Sequence, residues 1–139
     1  MAVLRQEEFD AVRNGQTYAS ISDPLLLPML SNDPLCVDHL ESVFLAIDCS
    51  LELAAEIAKL KNLKEISFYG GSSAGHILAN AKHLPVESVG FDTVIIDEQL
   101  LRTIAELPHL KEVHLAWKPN AKDAELFDTL LPEVRLVTP

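Results

Sequence analysis

The residues that could do chemistry gather in one short stretch, Gly70-Gly71-Ser72-Ser73-Ala74-Gly75-His76. A glycine-rich turn that follows a strand and opens a helix is a setting in which backbone N–H groups cradle phosphate. The stretch is neither G-x-G-x-x-G nor a P-loop with its lysine, so it specifies no nucleotide site. The competing reading is a tight strand-to-helix turn whose glycines supply positive φ. Ser72 and Ser73 lie close to His76 in sequence, and a hydrolase would need a hydroxyl within reach of a base that a third group orients. Asp48 and Asp92 fall at the same C-terminal strand edge and are the candidates for that third group. No nucleophile-elbow motif accompanies them, and a polar helix N-terminus accounts for the same residues. The five histidines, His39, His76, His83, His109 and His114, show neither H-x-x-x-H nor H-E-x-x-H spacing. No cysteine pair joins them at zinc-finger intervals. His83 and His109 precede leucines in short turns and are expected at the surface. No metal and no cofactor are expected.

The elements that must hold these residues follow from a recurrence. Five segments align: VDHLESVFL (37–45), LKNLKEISF (60–68), LPVESVGF (84–91), LPHLKEVHL (107–115) and LPEVRLV (131–137). Their first apolar positions are Val37, Leu60, Leu84, Leu107 and Leu131. The second are Leu40, Leu63, Val86, Leu110 and Val134, and the third Val43, Ile66, Val89, Val113 and Val137. The spacing is 23 or 24 residues, and a fixed period of that length points to stacked supersecondary units. Between the segments run helical patterns, over Ser50–Leu60 with Ser50 as N-cap, Ala74–Leu84, Asp97–Leu107 and Lys122–Leu131.

Residues 1–36 lack the recurrence. Leu4–Arg13 predicts a short helix that stops at Asn14-Gly15, and Thr17–Ile21 alternates weakly, as a short strand would. Asp23-Pro24 and Asp33-Pro34 are turn signals that bracket the apolar run PLLLPML. The region is expected to form a dependent N-terminal cap over the end of the repeated core at 37–139.

The strand patterns K-E-I-S-F-Y, E-S-V-G-F-D and K-E-V-H-L-A alternate polar and apolar residues. Strands of a doubly wound sheet are buried on both faces and read as continuous apolar runs, so a sheet with one buried face is expected here. The polar alternates then face solvent. On that face the pattern places Phe44 and Ala46, Ser67 and Tyr69, Gly90 and Asp92, then His114 and Ala116, with Trp117 at the rim. Phe44, Ser67, Tyr69, Asp92, His114 and Trp117 are the candidate protein-binding residues, since exposed aromatics beside a charge are typical of interface anchors.

The L-x-x-L-x-L strand, a short turn, a helix ending in Leu-Pro-x-Leu and a period near 24 residues resemble leucine-rich repeats. The longer helical subclass found in ribonuclease inhibitor and F-box proteins is the nearest in pattern. The resemblance covers Val37 to Pro139, and DEQLLRTIAELPHLKEVHL resembles its helix-to-strand passage. The Asn or Cys that ladders the turn in that family would fall near Asp48, Gly71, Val94 and Lys118, none of which is Asn or Cys. The resemblance implies an α/β solenoid of 4–5 strand–helix repeats, with a concave parallel sheet and a convex layer of helices. It also implies a non-catalytic module that binds a protein, as an inhibitor, an antitoxin-like neutraliser or a subunit. The alternative is an α/β domain that binds a small phosphorylated ligand, or a hydrolase, around Gly70–His76.

A formal net charge of −10 disfavours nucleic acid and anionic membranes, which require basic surfaces. A basic protein partner would be attracted, although acidity also serves solubility. The N-terminus MAVLRQEEFD has no apolar signal region, and the longest apolar run, Leu25–Leu30, is broken by Pro28 and too short to span a bilayer. Cys36 and Cys49 would lie at opposite ends of the first repeat strand, beyond disulfide reach. Free thiols fit a cytoplasmic protein. The last strand, around Val134–Val137, lacks an obvious cap, so a homodimer through that edge is a further expectation.

Overall fold

The computed structural model describes residues 2–47, 51–70 and 73–139. Helix α1 (Ala2–Arg13) leads into strand β1 (Tyr18–Ile21), then the short helices α2 (Leu26–Ser31) and α3 (Pro34–His39). Strand and helix then alternate: β2 (Ser42–Leu45), α4 (Leu51–Ala58), β3 (Glu65–Tyr69), α5 (Ala74–Ala79) and β4 (Ser88–Asp92) follow in turn. The chain continues through α6 (Glu98–Ala105), β5 (Glu112–Leu115) and α7 (Ala121–Leu130) to β6 (Arg135–Val137).

The six strands form one all-parallel sheet in the order β1-β2-β3-β4-β5-β6. Because this order never reverses, successive crossovers of one hand deposit their helices on one face of the sheet. Burial agrees. The inward alternates Ala19 and Ile21, Val43 and Leu45, Ile66 and Phe68, Val89 and Phe91, and Val113 and Leu115 are all enclosed. They meet Leu27, Leu30, Ile57, Ile77, Leu78, Leu101, Ile104 and Phe127 from the helices, which also pack on their chain neighbours. Turn residues Leu40, Leu60, Leu63, Leu84, Val86, Leu107 and Leu131 close the core at the N-terminal ends of the strands.

Local chemistry sets the helix boundaries. Asp97 stands in extended conformation at the N-cap of α6, and its carboxylate accepts from the Leu100 amide at 2.8 Å. Asn120 caps α7 in the same way, accepting from Asp123 N at 2.8 Å. Such caps satisfy amides that the helix itself leaves unpaired. Asp33-Pro34 departs from the turn expected there, since Asp33 caps α3, accepting from Leu35 N and Cys36 N, and Pro34 occupies the first helical position. Proline suits that position because its missing N–H would find no partner there anyway.

Three further expectations change. The sheet begins at β1, within residues 1–36, and Tyr18 pairs with Ser42 just as Ser42 pairs with Glu65. The first repeat position assigned to Val37 lies within α3, where Val37 is half-buried. In the last strand the partner of Val113 is Leu136, and Val137 pairs with His114. LPEVRLV reaches its strand one residue early, and a one-residue slip exchanges the two faces. Leu136 therefore packs toward the core.

Cys36 is fully enclosed beneath α1, with its thiol 4.0 Å from the Phe9 carbonyl. Burial, reinforced by the neighbouring Asp33 carboxylate, pushes the thiol up from 9.0 to about 11. The unfolded chain gives up this proton near its ordinary value while the fold retains it. Stability from this group is complete below the unfolded value and is lost as pH rises from 9.0 to about 11, by about 3 kcal/mol in all. Urea midpoints measured across that range for wild type and Cys36→Ala check this. The wild type should fall more steeply, and parallel profiles would contradict the assignment. Cys49 lies outside the described residues.

Candidate functional site

The sheet face turned away from the helices carries three rows set by the parallel register. The first row reads Tyr18, Ser42, Glu65, Ser88, Glu112 and Arg135. The second reads Ser20, Phe44, Ser67, Gly90, His114 and Val137, and the third joins Tyr69 to Asp92. Five of the expected residues, Phe44, Ser67, Tyr69, Asp92 and His114, thus share one surface. Trp117 is half-buried and packs against the core.

Large side chains stand on this face in water. Tyr18, Phe44 and Tyr69 are 59%, 38% and 51% exposed, although each could have been polar at no cost to the core. Phe44 and Tyr69 are diagonal neighbours with ring centroids 6.4 Å apart and planes tilted by 41°. Tyr18 is a candidate that the sequence reading left out, because β1 fell within the expected cap. The first row was passed over too, since only positions after the third apolar residue were considered.

Gly90 has a steric reason. A Cβ there would lie 2.9 Å from Ser67 Oγ, so the serine hydroxyl leans into the space a side chain would occupy. Ser88, two residues earlier, is buried, and its Oγ has no hydrogen-bond partner among the described residues. Such orphaned hydroxyls are uncommon in native proteins.

Charge is distributed unevenly. Just ahead of the strands runs an alternating row in which Lys64 pairs with Glu41 at 3.2 Å and Lys111 with Glu87 at 2.9 Å. The Lys111 ammonium, hydrogen-bonded to Glu87, holds that carboxyl below its ordinary range. Among the described residues, nine of the eleven Lys and Arg side chains sit in ion pairs. None of these pairs includes Glu65 or Asp92. Glu112 has Arg135 at 3.2 Å and His114 at 3.8 Å, whereas among the described residues Glu65 accepts from Ser42 Oγ at 3.3 Å and Asp92 from Thr93 Oγ1 at 3.0 Å. The face therefore carries two carboxylates without a basic partner beside exposed aromatics.

The chain matches no known family model and no curated protein.

The glycine-rich stretch is only partly within view. Gly71, Ser72 and Asp48 lie outside the described residues. Gly70 adopts φ +67°, as the tight-turn reading requires. The helix it introduces, α5, has six residues, too short to focus a strong dipole on an anion. His76 instead lines an open groove of about 740 Å³ between α5 and α6, with Asp97, Gln99, Leu100 and Thr103. His83 and His109 are exposed, as expected, and His83 Nε2 lies 2.8 Å from the Ala58 carbonyl at the end of α4. No helix among the described residues is long and apolar enough to cross a membrane.

The two edges of the sheet differ. On β1 the outward Ser20 amide donates to Glu8 Oε1 at 3.1 Å, and Gln16 Nε2 donates to the Tyr18 carbonyl at 2.7 Å. These side chains occupy edge groups that a foreign strand would otherwise pair with. The outer edge of β6 has no pairing strand among the described residues.

Proposed function

We propose that this chain is a non-catalytic interaction module, a leucine-rich-repeat-like solenoid of the cytoplasm whose concave sheet face binds a basic protein. The observation that carries the reading is the face itself, on which exposed Tyr18, Phe44 and Tyr69 adjoin carboxylates that no lysine or arginine offsets. Aromatics supply rigid contact area at low entropic cost and dominate binding energy where they can be desolvated. The uncompensated charge favours a cationic surface and speeds encounter with it. The strand starts Tyr18, Ser42, Glu65, Ser88, Glu112 and Arg135 recur every 23 or 24 residues, in support of a repeat that includes β1. The test is affinity capture with wild type beside a variant carrying alanine at Phe44, Tyr69, Asp92 and His114. Loss of the partner is expected there, whereas alanine at Gln99 and Arg102 on the helix side should leave capture unchanged.

A second reading rests on the edge asymmetry, namely self-association through β6. Antiparallel pairing about Leu136 would set Arg135 against Val137 of the other copy and bring no like charges into register. Sedimentation should then detect dimers at high micromolar protein, and Thr138→Pro, which removes an amide on the outer edge and leaves those that pair with β5, should weaken them. Monomer alone at that concentration would exclude this reading.

A further inference from the structure

We propose that the cluster of Phe44, Tyr69 and Asp92 seats an arginine side chain of the partner, a deepening that rests on the interaction reading above. Tyr69 and Asp92 are directly opposed across β3 and β4, and Phe44 lies diagonal to Tyr69 on β2. The two rings are tilted by 41° rather than stacked, so they leave aromatic surface available to a third planar group. Guanidinium is that kind of group. It lies on aromatic faces while its fork of N–H donors engages a carboxylate.

Asp92 is prepared for this role. Thr93 Oγ1 donates to Asp92 Oδ1 at 3.0 Å and so orients the carboxylate without neutralising it. Thr93 holds φ +57°, a left-handed conformation that is unfavourable for a β-branched residue. Backbone strain of this kind clusters at binding sites.

Gly90, two residues before Asp92 on the same face, puts no side chain of its own beside the carboxylate. An acidic ligand is disfavoured, since it would meet Asp92 and Glu65.

The test is an NMR titration of the isotope-labelled full chain, at low salt, with the blocked peptide Gly-Gly-Arg-Gly-Gly. Counterparts carry citrulline or lysine in place of arginine. Saturable shifts at Phe44, Tyr69 and Asp92 are expected at millimolar arginine peptide. Binding should weaken about tenfold or more with citrulline, which keeps the shape and loses the charge. Asp92→Asn should weaken arginine binding as much while its own spectrum stays native. Equal binding of citrulline or lysine, shifts centred elsewhere, or none at all would overturn the assignment. The two proposals fail separately. If the four-alanine variant loses the partner but the peptide moves no signals, the arginine site falls and the interaction reading stands. If the peptide binds here and capture is unchanged, the interaction reading falls and the arginine site stands.

Discussion

Phe91→Ala is expected to lower stability by about 3–5 kcal/mol, the largest single-residue effect foreseen in this fold. Phe91 and Phe68 are adjacent on β4 and β3, both 3% exposed, with rings stacked at 5.6 Å and 12°. They occupy the centre of the helix-covered side. Truncation removes the transfer free energy of a whole ring and leaves a cavity that neighbouring strands, tied by ladder bonds, cannot close. A loss of that size is a large share of the stability of an ordinary domain, about 5–15 kcal/mol. Phe44→Ala is the matched control from the opposite face, and with the ring already 38% exposed it should cost about 1 kcal/mol or less. Urea denaturation of both variants checks the contrast. Comparable losses would mean that the open face is as much core as the covered one.

Tyr69→Ala is expected to reverse that pattern, leaving stability nearly unchanged and weakening partner binding about 30-fold or more. That factor corresponds to the roughly 2 kcal/mol by which an interface anchor is defined. Tyr69 is 51% exposed, lies beside Asp92 across the β3–β4 pair and carries the Phe44 contact. Asp92→Ala should act on both rates, slowing association with a flatter salt dependence and speeding dissociation, because this half-buried carboxylate would steer encounter and also hold the bound guanidinium. Calorimetry and association kinetics with the captured partner separate the two effects. A Tyr69→Ala complex as tight as wild type would remove the aromatic cluster from the interface.

Much of the fold was readable because the apolar residues of β2 to β5 alternate at period two, and their turn leucines recur at a fixed interval. That alternation correctly implied one buried face, and the same logic placed Phe44, Ser67, Tyr69, Asp92 and His114 on the other. What escaped notice has physical causes. Strand β1 has four residues, Tyr-Ala-Ser-Ile, and its small inward Ala19 gives little hydrophobic signal although it is fully enclosed. The strand was therefore expected only as a weak segment inside the cap and not as the first member of the sheet, and Tyr18 was left out of the face with it. Asp33-Pro34 serves a turn and a helix start equally well, and only the amides of Leu35 and Cys36 reaching Asp33 decide between them. The slip at β6 arose because Val134, Leu136 and Val137 are all apolar, so alternation could not fix the register. The same composition hid the packing of Trp117, an aromatic just after a strand, which can turn to the core or to solvent with equal pattern support. Ser88 and Gly90 carried no sequence signal, since the first matters for a buried hydroxyl without a partner among the described residues and the second for the space it leaves to Ser67 Oγ.

Affinity capture from lysate with purified wild type beside the Phe44, Tyr69, Asp92 and His114 alanine variant, after circular dichroism has shown both folded, tests the binding face most directly. The account predicts a basic protein that is retained by the wild type, released as salt is raised, and lost by the variant. Retention of the same protein by both, or of none by either, would contradict it.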